Sequence, residues 1–315
     1  MKKKNKKNRK WLKKLGIGFG VLTFLVAATA IFFVTNPVQL ARLVARDAAE
    51  DRAQWVKSDD ELLGTRFTVP REGIDDVETI LYRPEGSEDK KLPVIFMVHG
   101  GGFFGGAADM LDTFNARVME KWQAMIVSIN YKKLDEKFIP YPAEEIRDTI
   151  YYFAAHEDEY NIDSSKFATM GFSAGSYHVA NTSLLLQSEN FKLAGQVLVV
   201  PYLMSVIPVL TPNLMDEEIP TDAQVPLAST VFVLGGQDEI SNSAKPYIDI
   251  LNKAGVPTQV FSYEKAFHPF MDTSEVMKPQ NDEELKYTTE EQKQLGLQAE
   301  DDLIEVFHSF FSNSN

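Results

Sequence analysis

The sequence predicts a protein of the α/β class, built on a mostly parallel sheet with helices on both faces. Short apolar runs bounded by glycine or proline recur after residue 64, which is the pattern of buried strands. Helical patterns lie between the later runs, and alternation of this kind is typical of a parallel sheet. The 315 residues are 44% hydrophobic and 24% charged, a globular composition with enough length for one large domain and additions.

Eight strands and five helices are predicted in this body. The strands are expected near residues 66–69, 77–82, 94–98, 124–130, 167–171, 196–200, 230–234 and 259–263. The helices are expected at about 107–121, 143–156, 174–187, 243–254 and 290–311. Residues 202–227 break the alternation with four prolines, so they are expected to form a lid-like insertion over the carboxyl edge of the sheet.

Charge and cysteine content exclude several classes of protein. Residues 1–14 carry nine of the 32 Lys and Arg residues and no acid, so the remainder holds 23 basic against 45 acidic residues, a balance of −22. A body that acidic repels a phosphate backbone, which argues against nucleic-acid binding. With no Cys, the chain has no thiolate nucleophile, disulfide or Cys-based metal site. No His spacing favours a metal, and no cofactor is implied.

The amino terminus is typical of a membrane anchor. Residues 15–34 contain no charge, and a helix of that length spans about 30 Å, the thickness of the hydrocarbon core of a bilayer. The basic head, residues 1–14, is expected to stay in the cytoplasm, which places the body outside. A cleaved signal ending at Ala28-Thr29-Ala30, which would give a secreted protein, is the alternative, but the apolar run continues beyond it to Val34.

The remaining chain divides at about residue 64. Residues 35–63 are expected to form a connecting helix that packs on the body, lies along the membrane surface or serves as a solvated spacer. Residues 64–315 are expected to form the α/β domain.

The first chemical motif is Gly171-Phe172-Ser173-Ala174-Gly175, between a predicted strand and a predicted helix. A nucleophilic serine on a sharp strand-to-helix turn needs small neighbours, because the turn is strained and the substrate approaches closely. The N–H of Ala174, at the start of the helix, is placed to stabilise an oxyanion. An ordinary tight turn is the alternative interpretation.

The second motif is His99-Gly100-Gly101-Gly102-Phe103, directly after a predicted buried strand. Consecutive glycines let backbone N–H groups turn towards a ligand, so Gly101 and Gly102 are candidate oxyanion donors. His99 is expected to brace this loop by hydrogen bonding. The segment lacks the Lys-Ser/Thr of a phosphate loop and the glycine spacing of a dinucleotide fingerprint.

A candidate acid and base follow two later strands. Asp238 comes shortly after the predicted strand 230–234, and His268 follows 259–263. A serine hydroxyl becomes nucleophilic when an imidazole accepts its proton, and the imidazole needs a carboxylate that fixes its tautomer. Glu239 and Glu264 are alternative acids. Asp238 is favoured because Glu239, next to it, should point elsewhere and Glu264 lies too near its strand.

Together these motifs resemble the α/β-hydrolase superfamily, and within it the hormone-sensitive-lipase-like esterases and acetyl-esterases. The similarity runs from about residue 93 to 270, through HGGGF, GFSAG, GGQDE and HPF. It implies an α/β-hydrolase fold with nucleophile Ser173, acid Asp238 and base His268. It also implies an oxyanion hole formed by Gly101, Gly102 and Ala174. The sequence departs from many relatives at Phe172 and Ser176 in the serine motif, at residues 134–136, and at Pro269 after the histidine.

The sequence therefore predicts a membrane-anchored, extracytoplasmic serine esterase that hydrolyses small carboxylic esters through an acyl-enzyme. A serine peptidase of the same fold is one alternative, although the roughly 60 residues between the anchor and residue 93 are too few for a propeller domain. A non-catalytic envelope protein that binds a ligand is another. The acyl chain, the alcohol part and the oligomeric state stay open.

Overall fold

A single eight-stranded sheet forms the centre of the computed structural model, which describes residues 32–204, 214–216, 219–221, 223–272 and 282–312. The strands are β1 Thr65–Val69, β2 Val77–Tyr82, β3 Leu92–Val98, β4 Met125–Asn130, β5 Ile162–Phe172, β6 Gly195–Val199, β7 Thr230–Gly235 and β8 Thr258–Tyr263. Their order is β1-β2-β4-β3-β5-β6-β7-β8. β1 pairs antiparallel with β2 and β2 with β4, and all later neighbours pair in parallel. The prediction of a mostly parallel eight-stranded sheet is confirmed.

The helices cover both faces of this sheet. They are α1 Pro37–Val44, α2 Ala48–Ala53, α3 Asp112–Trp122, α4 Tyr141–Ala155, α5 Glu157–Tyr160, α6 Ala174–Ser188, α7 Glu239–Asn242, α8 Lys245–Lys253 and α9 Glu290–Ser312. Short 3₁₀ turns lie at Ala108–Leu111, Leu214–Asp216 and Glu284–Thr288. Successive residues of β3 point to opposite faces, so Phe96 packs in the core under α4, α6 and α8, and Met97 in the core under α3 and α9. Burial on both faces explains why the central strands are apolar without alternation.

The order of the strands brings four loops to one edge of the sheet. β3 lies between β4 and β5. The chain adds β4 on one side of β3 and then adds β5 and the later strands on the other side, so the order of the strands reverses at β3. A crevice forms at such a switch point, outside the carboxyl ends of the strands. The loops after β3, β5, β7 and β8 all leave from this edge, and they carry the residues that the sequence selected.

The predicted elements differ from the observed ones mainly at polar ends. β5 begins at Ile162, five residues before the predicted start, because Leu92 of β3 pairs with Ile162 across a register shift. The intervening residues are polar and only partly buried, so no apolar run marks them. The predicted helix 107–121 begins as the 3₁₀ turn Ala108–Leu111 and becomes α-helical only from Asp112.

The single connecting helix predicted over residues 35–63 is wrong. The segment contains two short helices, α1 and α2, followed by chain without helix from Gln54. Arg42 Nε donates to the backbone oxygen of Asp135, and Arg52 forms a bidentate pair with the carboxylate of Asp135 at 2.9 and 3.0 Å. In one straight helix these arginines would be about 15 Å apart along the axis. The break between the helices lets both reach Asp135, so the segment packs on the body.

Two predictions concern segments that lie wholly or partly outside the described residues. Within the part of the chain that the structure describes, no helix is both long and apolar enough to cross a bilayer. Only the last three residues of the predicted anchor 15–34 belong to that part. Of the 26 residues of the predicted lid, 202–227, twelve also lie outside it.

Candidate active site

Ser173 occupies the turn between β5 and α6. Its φ of 50° and ψ of −117° lie in a sparsely populated region for a residue with a side chain. The turn is held by the Ser173 N–H, which donates to the Val199 oxygen at 2.9 Å. A β-carbon added to Gly171 would lie 2.6 Å from the Gly175 oxygen, and one added to Gly175 would collide with the Val98 oxygen. Both glycines of the motif are therefore required by close backbone contacts.

Asp238 and His268 form a hydrogen-bonded pair beside this turn. The Nδ1 of His268 lies 2.9 Å from Oδ2 of Asp238, while Oδ1 of Asp238 accepts from the Ile240 N–H at 2.9 Å. The Asp238 side chain is 2% exposed and that of His268 is 24% exposed. Because an ionised carboxylate only accepts, Nδ1 donates the proton and Nε2 is left as the basic nitrogen. The alternative acids Glu239 and Glu264 are both exposed.

The glycine loop after β3 lies against the serine. Gly101 and Gly102 have φ values of 126° and 61°, and the Gly101 oxygen accepts from the Gly105 N–H at 2.7 Å. A β-carbon added to Gly100 would lie 3.3 Å from the Cβ of Ser173. Ala174 is fully buried and is the first residue of α6, whose initial N–H groups have no partner within the helix. The loop and this helix end thus approach Ser173 together, as an oxyanion hole requires.

His99 supports the loop from beneath. It is fully buried, its Nδ1 lies 2.6 Å from the Gly100 oxygen, and its ring stacks on that of Tyr131 at 4.5 Å. The Tyr131 hydroxyl donates to the His99 oxygen at 3.2 Å. Burial first, and the cation of Lys133 second, hold the pKa of His99 well below its usual range. A neutral, buried His99 fits the predicted bracing role.

Lys133 and His178 complete this layer. The Nζ of Lys133 lies 4.1 Å from the centroid of the Tyr131 ring, and burial lowers the pKa of Lys133 to about 7. The His178 ring packs against Tyr131 and Phe103, and burial lowers the pKa of His178 to about 3. A buried lysine is not readable from the sequence, because a polar residue after a strand is usually exposed.

A cavity of about 630 Å³ joins these groups. Ser173 and His268 both line it, as do Gly100, Gly101 and Gly102. The rest of its described wall is largely apolar and aromatic, with one carboxylate: Trp55, Phe103, Met110, Tyr202, Ile240, Pro269, Asp272 and Tyr287. A concave, mainly apolar cavity that contains a nucleophile and a base is the usual form of a small-molecule active site.

The amino-terminal segment supplies part of this wall. Arg52 holds α2 on the body through Asp135 and through the Phe104 oxygen, which accepts from Nη1 at 2.7 Å. Lys57 donates to the buried Asp112 carboxylate at 2.8 Å. Trp55 lies between these two anchoring residues and reaches the cavity. No periodicity in the sequence indicated that contribution.

Similarity to known proteins covers the centre of this architecture. The BD-FAE family model matches residues 80–199, which include both glycine motifs. An α/β-hydrolase of Acanthamoeba polyphaga mimivirus is 25% identical over 227 residues, 62% of this chain and 65% of that protein. An arylesterase of Saccharolobus solfataricus is 25% identical over 263 residues, 74% of this chain and 81% of the relative. The acetyl esterase of Salmonella paratyphi B is 27% identical over 150 residues, 48% and 45% of the two chains.

The fold is also that of solved esterase structures. A fungal esterase from Rhizomucor miehei superposes with a TM-score of 0.69 at 16% identity, over 87% of this chain and 91% of the other. The chain therefore has the α/β-hydrolase fold. The similarities support a hydrolase of the carboxylesterase type, in the group of the hormone-sensitive-lipase-like esterases and acetyl-esterases. In this α/β-hydrolase, Ser173, Asp238 and His268 remain the predicted triad.

Proposed function

We propose that this α/β-hydrolase is a serine esterase that cleaves small carboxylic esters through an acyl-enzyme. The observation that carries the proposal is the 2.9 Å hydrogen bond from His268 to Asp238 on the wall of a cavity that also contains Ser173. The carboxylate fixes the imidazole with Nε2 as its base. A nucleophile, a base and an orienting acid are thus available in one site without a metal or cofactor.

The reaction follows from these positions. Nε2 of His268 accepts the proton of the Ser173 hydroxyl while Oγ attacks the ester carbonyl. The carbonyl oxygen becomes an oxyanion, which the N–H groups of Gly101, Gly102 and Ala174 stabilise. His268 then gives its proton to the departing alcohol, leaving the acyl group on Ser173. Water, deprotonated by the same imidazole, attacks the acyl carbonyl. The bond from the acyl group to Oγ of Ser173 then breaks, and His268 returns the proton to Oγ as the acid leaves.

We also place the enzyme at the cell membrane. The uncharged residues 15–34 and the nine positive charges before them support a single-pass anchor with the catalytic domain outside the cytoplasm. The segment that follows packs on the catalytic domain through Arg42 and Arg52. This arrangement holds the domain close to the bilayer.

Hydrolysis of p-nitrophenyl acetate, butyrate and octanoate by the full chain in mild detergent tests the esterase assignment. Ser173→Ala should lower kcat by at least about 10⁴-fold, because the acyl-enzyme cannot form. Ser188→Ala, an exposed serine at the far end of the same helix, is the matched control and should keep wild-type rates.

A fluorophosphonate probe separates the alternatives. Labelling of Ser173 without ester turnover would favour the peptidase of the same fold. A folded protein with neither labelling nor turnover would favour a non-catalytic binding protein and would overturn the proposal.

A further inference from the structure

A second carboxylate lies in the catalytic cavity besides the one that orients the histidine. Asp272 follows His268 by four residues, is 5% exposed and lines the cavity. A β-carbon added to Gly100 would lie 3.3 Å from Ser173 Cβ and 3.6 Å from Asp272 Oδ2. The Cβ of Ser173 and the Oδ2 of Asp272 are therefore at most about 6.9 Å apart. Asp272 is close enough to the nucleophile to contact a substrate held for attack.

Asp272 is not the carboxylate that orients His268. Nδ1 of His268 is already bonded to Asp238, and the second oxygen of Asp238 is held by the Ile240 N–H. A carboxylate attracts hydrogen-bond donors and cations and repels anions. Its position on the wall therefore bears on which substrates enter.

The rest of the described wall is largely aromatic. Trp55, Phe103, Tyr202 and Tyr287 line the cavity, and the face of an aromatic ring attracts a cation. The Nζ of Lys286 already lies 4.9 Å from the centroid of the Tyr287 ring, so the other three rings are the ones offered to a ligand. Among the described residues that line it there is neither Lys nor Arg. Rings combined with a carboxylate suit an ammonium group, since cation–π attraction and a charge-assisted contact act on the same charge.

The charge of the whole chain acts in the same direction. Beyond the basic head the balance is −22, so a cationic substrate is drawn towards the domain and an anionic one is repelled. Such long-range attraction raises the rate of encounter, whereas the cavity contacts decide which molecule stays.

We propose that the cavity selects esters that carry an ammonium group, with Asp272 as the specificity-determining residue. This inference rests on the proposed esterase function and names its substrate class. The ammonium group lies against the aromatic wall near Asp272, and the ester carbonyl lies between Ser173 and the glycine loop.

Two isosteric pairs of esters test the inference on the full chain. Acetylcholine and 3,3-dimethylbutyl acetate differ only by N⁺ for C in the alcohol part. The p-nitrophenyl esters of 4-trimethylammoniobutyrate and 5,5-dimethylhexanoate differ in the same way in the acyl part. We expect kcat/KM for the cationic member of at least one pair to exceed that of its neutral partner by about 10- to 100-fold. Equal values in both pairs would overturn the inference.

Asp272→Asn assigns the preference. The ratio of cationic to neutral kcat/KM should fall by at least about tenfold in this variant, and persistence of the wild-type ratio would contradict the role of Asp272. Asp249→Asn removes the same charge from an exposed position on α8 and should leave the ratio unchanged. If Asp272→Asn does not fold, competitive inhibition of the wild type decides. Choline should then inhibit at least tenfold better than 3,3-dimethylbutanol, and equal inhibition overturns the inference.

Failure of the proposed function gives a different result. In that case neither member of either pair is hydrolysed and a fluorophosphonate does not label Ser173. Failure of the inference alone leaves both members of each pair hydrolysed at similar rates.

Discussion

Replacing Asp238 by Asn should nearly abolish turnover, because the hydrogen bonds around this carboxylate decide the tautomer of His268. In the structure, Oδ1 accepts from the Ile240 N–H at 2.9 Å and Oδ2 accepts from His268 Nδ1 at 2.9 Å. An asparagine has one acceptor oxygen and one donor NH₂. The Ile240 N–H is a fixed donor, so the amide oxygen turns towards it and the NH₂ faces Nδ1.

The imidazole then responds to the donor. Nδ1 becomes the acceptor, the proton moves to Nε2, and His268 can no longer accept a proton from Ser173. A wrong tautomer of this kind costs about 10⁴-fold in kcat in a serine protease triad. That loss corresponds to about 5.4 kcal/mol of activation free energy, at 1.36 kcal/mol per tenfold.

Steady-state hydrolysis of p-nitrophenyl acetate at pH 8 measures the effect in Asp238→Asn. Glu239→Gln makes the same chemical change at the adjacent, exposed residue and should retain wild-type kcat within about twofold. Thermal unfolding of each variant shows that the fold is intact. A folded Asp238→Asn enzyme that loses less than about tenfold in kcat would refute the argument from tautomer control.

Three further predictions concern the supports of the site and the anchor. Since burial lowers the pKa of Lys133 to about 7, the folded state binds fewer protons than the unfolded state between about pH 7 and the ordinary lysine value of 10.5. Wild-type stability therefore gains from this residue as pH rises. The free energy of unfolding of Lys133→Met minus that of the wild type, measured in urea, should be larger at pH 6 than at pH 10, by up to about 5 kcal/mol. A difference independent of pH would contradict this. Arg52→Ala removes the bidentate pair with Asp135, and we expect KM for p-nitrophenyl butyrate to rise several-fold and the free energy of unfolding to fall by about 1–3 kcal/mol. Arg46→Ala, at an exposed neighbouring position, is the control, and equal KM values would argue against a role of α2 in the cavity wall. Residues 15–34 should keep the chain in the membrane fraction after alkaline carbonate extraction, and protease added outside intact cells should digest the catalytic domain. Recovery of the chain in the soluble fraction, or full protection from the protease, would count against the anchor.

The sequence predicted the features that depend on local order along the chain. Ser173, Asp238 and His268 each follow an apolar run, and parallel strands bring such positions to one edge of a sheet. The choice of Asp238 over Glu264 also followed from distance along the chain to a strand end. In the structure, Asp238 accepts a hydrogen bond from His268, whereas Glu264 is exposed.

Features created by contacts between distant segments could not be predicted in this way. Trp55 reaches the cavity because Arg52 binds Asp135, 83 residues later in the chain, and Lys57 binds Asp112, 55 residues later. Lys133 is 2% exposed, and its charge acts on His99 and His178, which come from other segments of the chain. Asp272 has no periodic pattern around it, so its approach to Gly100 becomes visible only when β3 and β8 occupy the same sheet. Such contacts leave no trace in hydrophobic spacing.

The pairing of β3 with β5 has a consequence for how activity can be lost. Val98 lies opposite Gly171 in this pairing, and Gly175 abuts the Val98 and His99 oxygens, so the register fixes the offset between the glycine loop and the nucleophile turn. A slip of one residue would displace the loop by about 3.3 Å, whereas catalytic groups tolerate errors of about 0.5 Å. The pairing of β3 with β5 thus sets the distance between the glycine loop and the nucleophile turn. A mutation that disturbs this pairing would abolish activity while most of the domain remained folded.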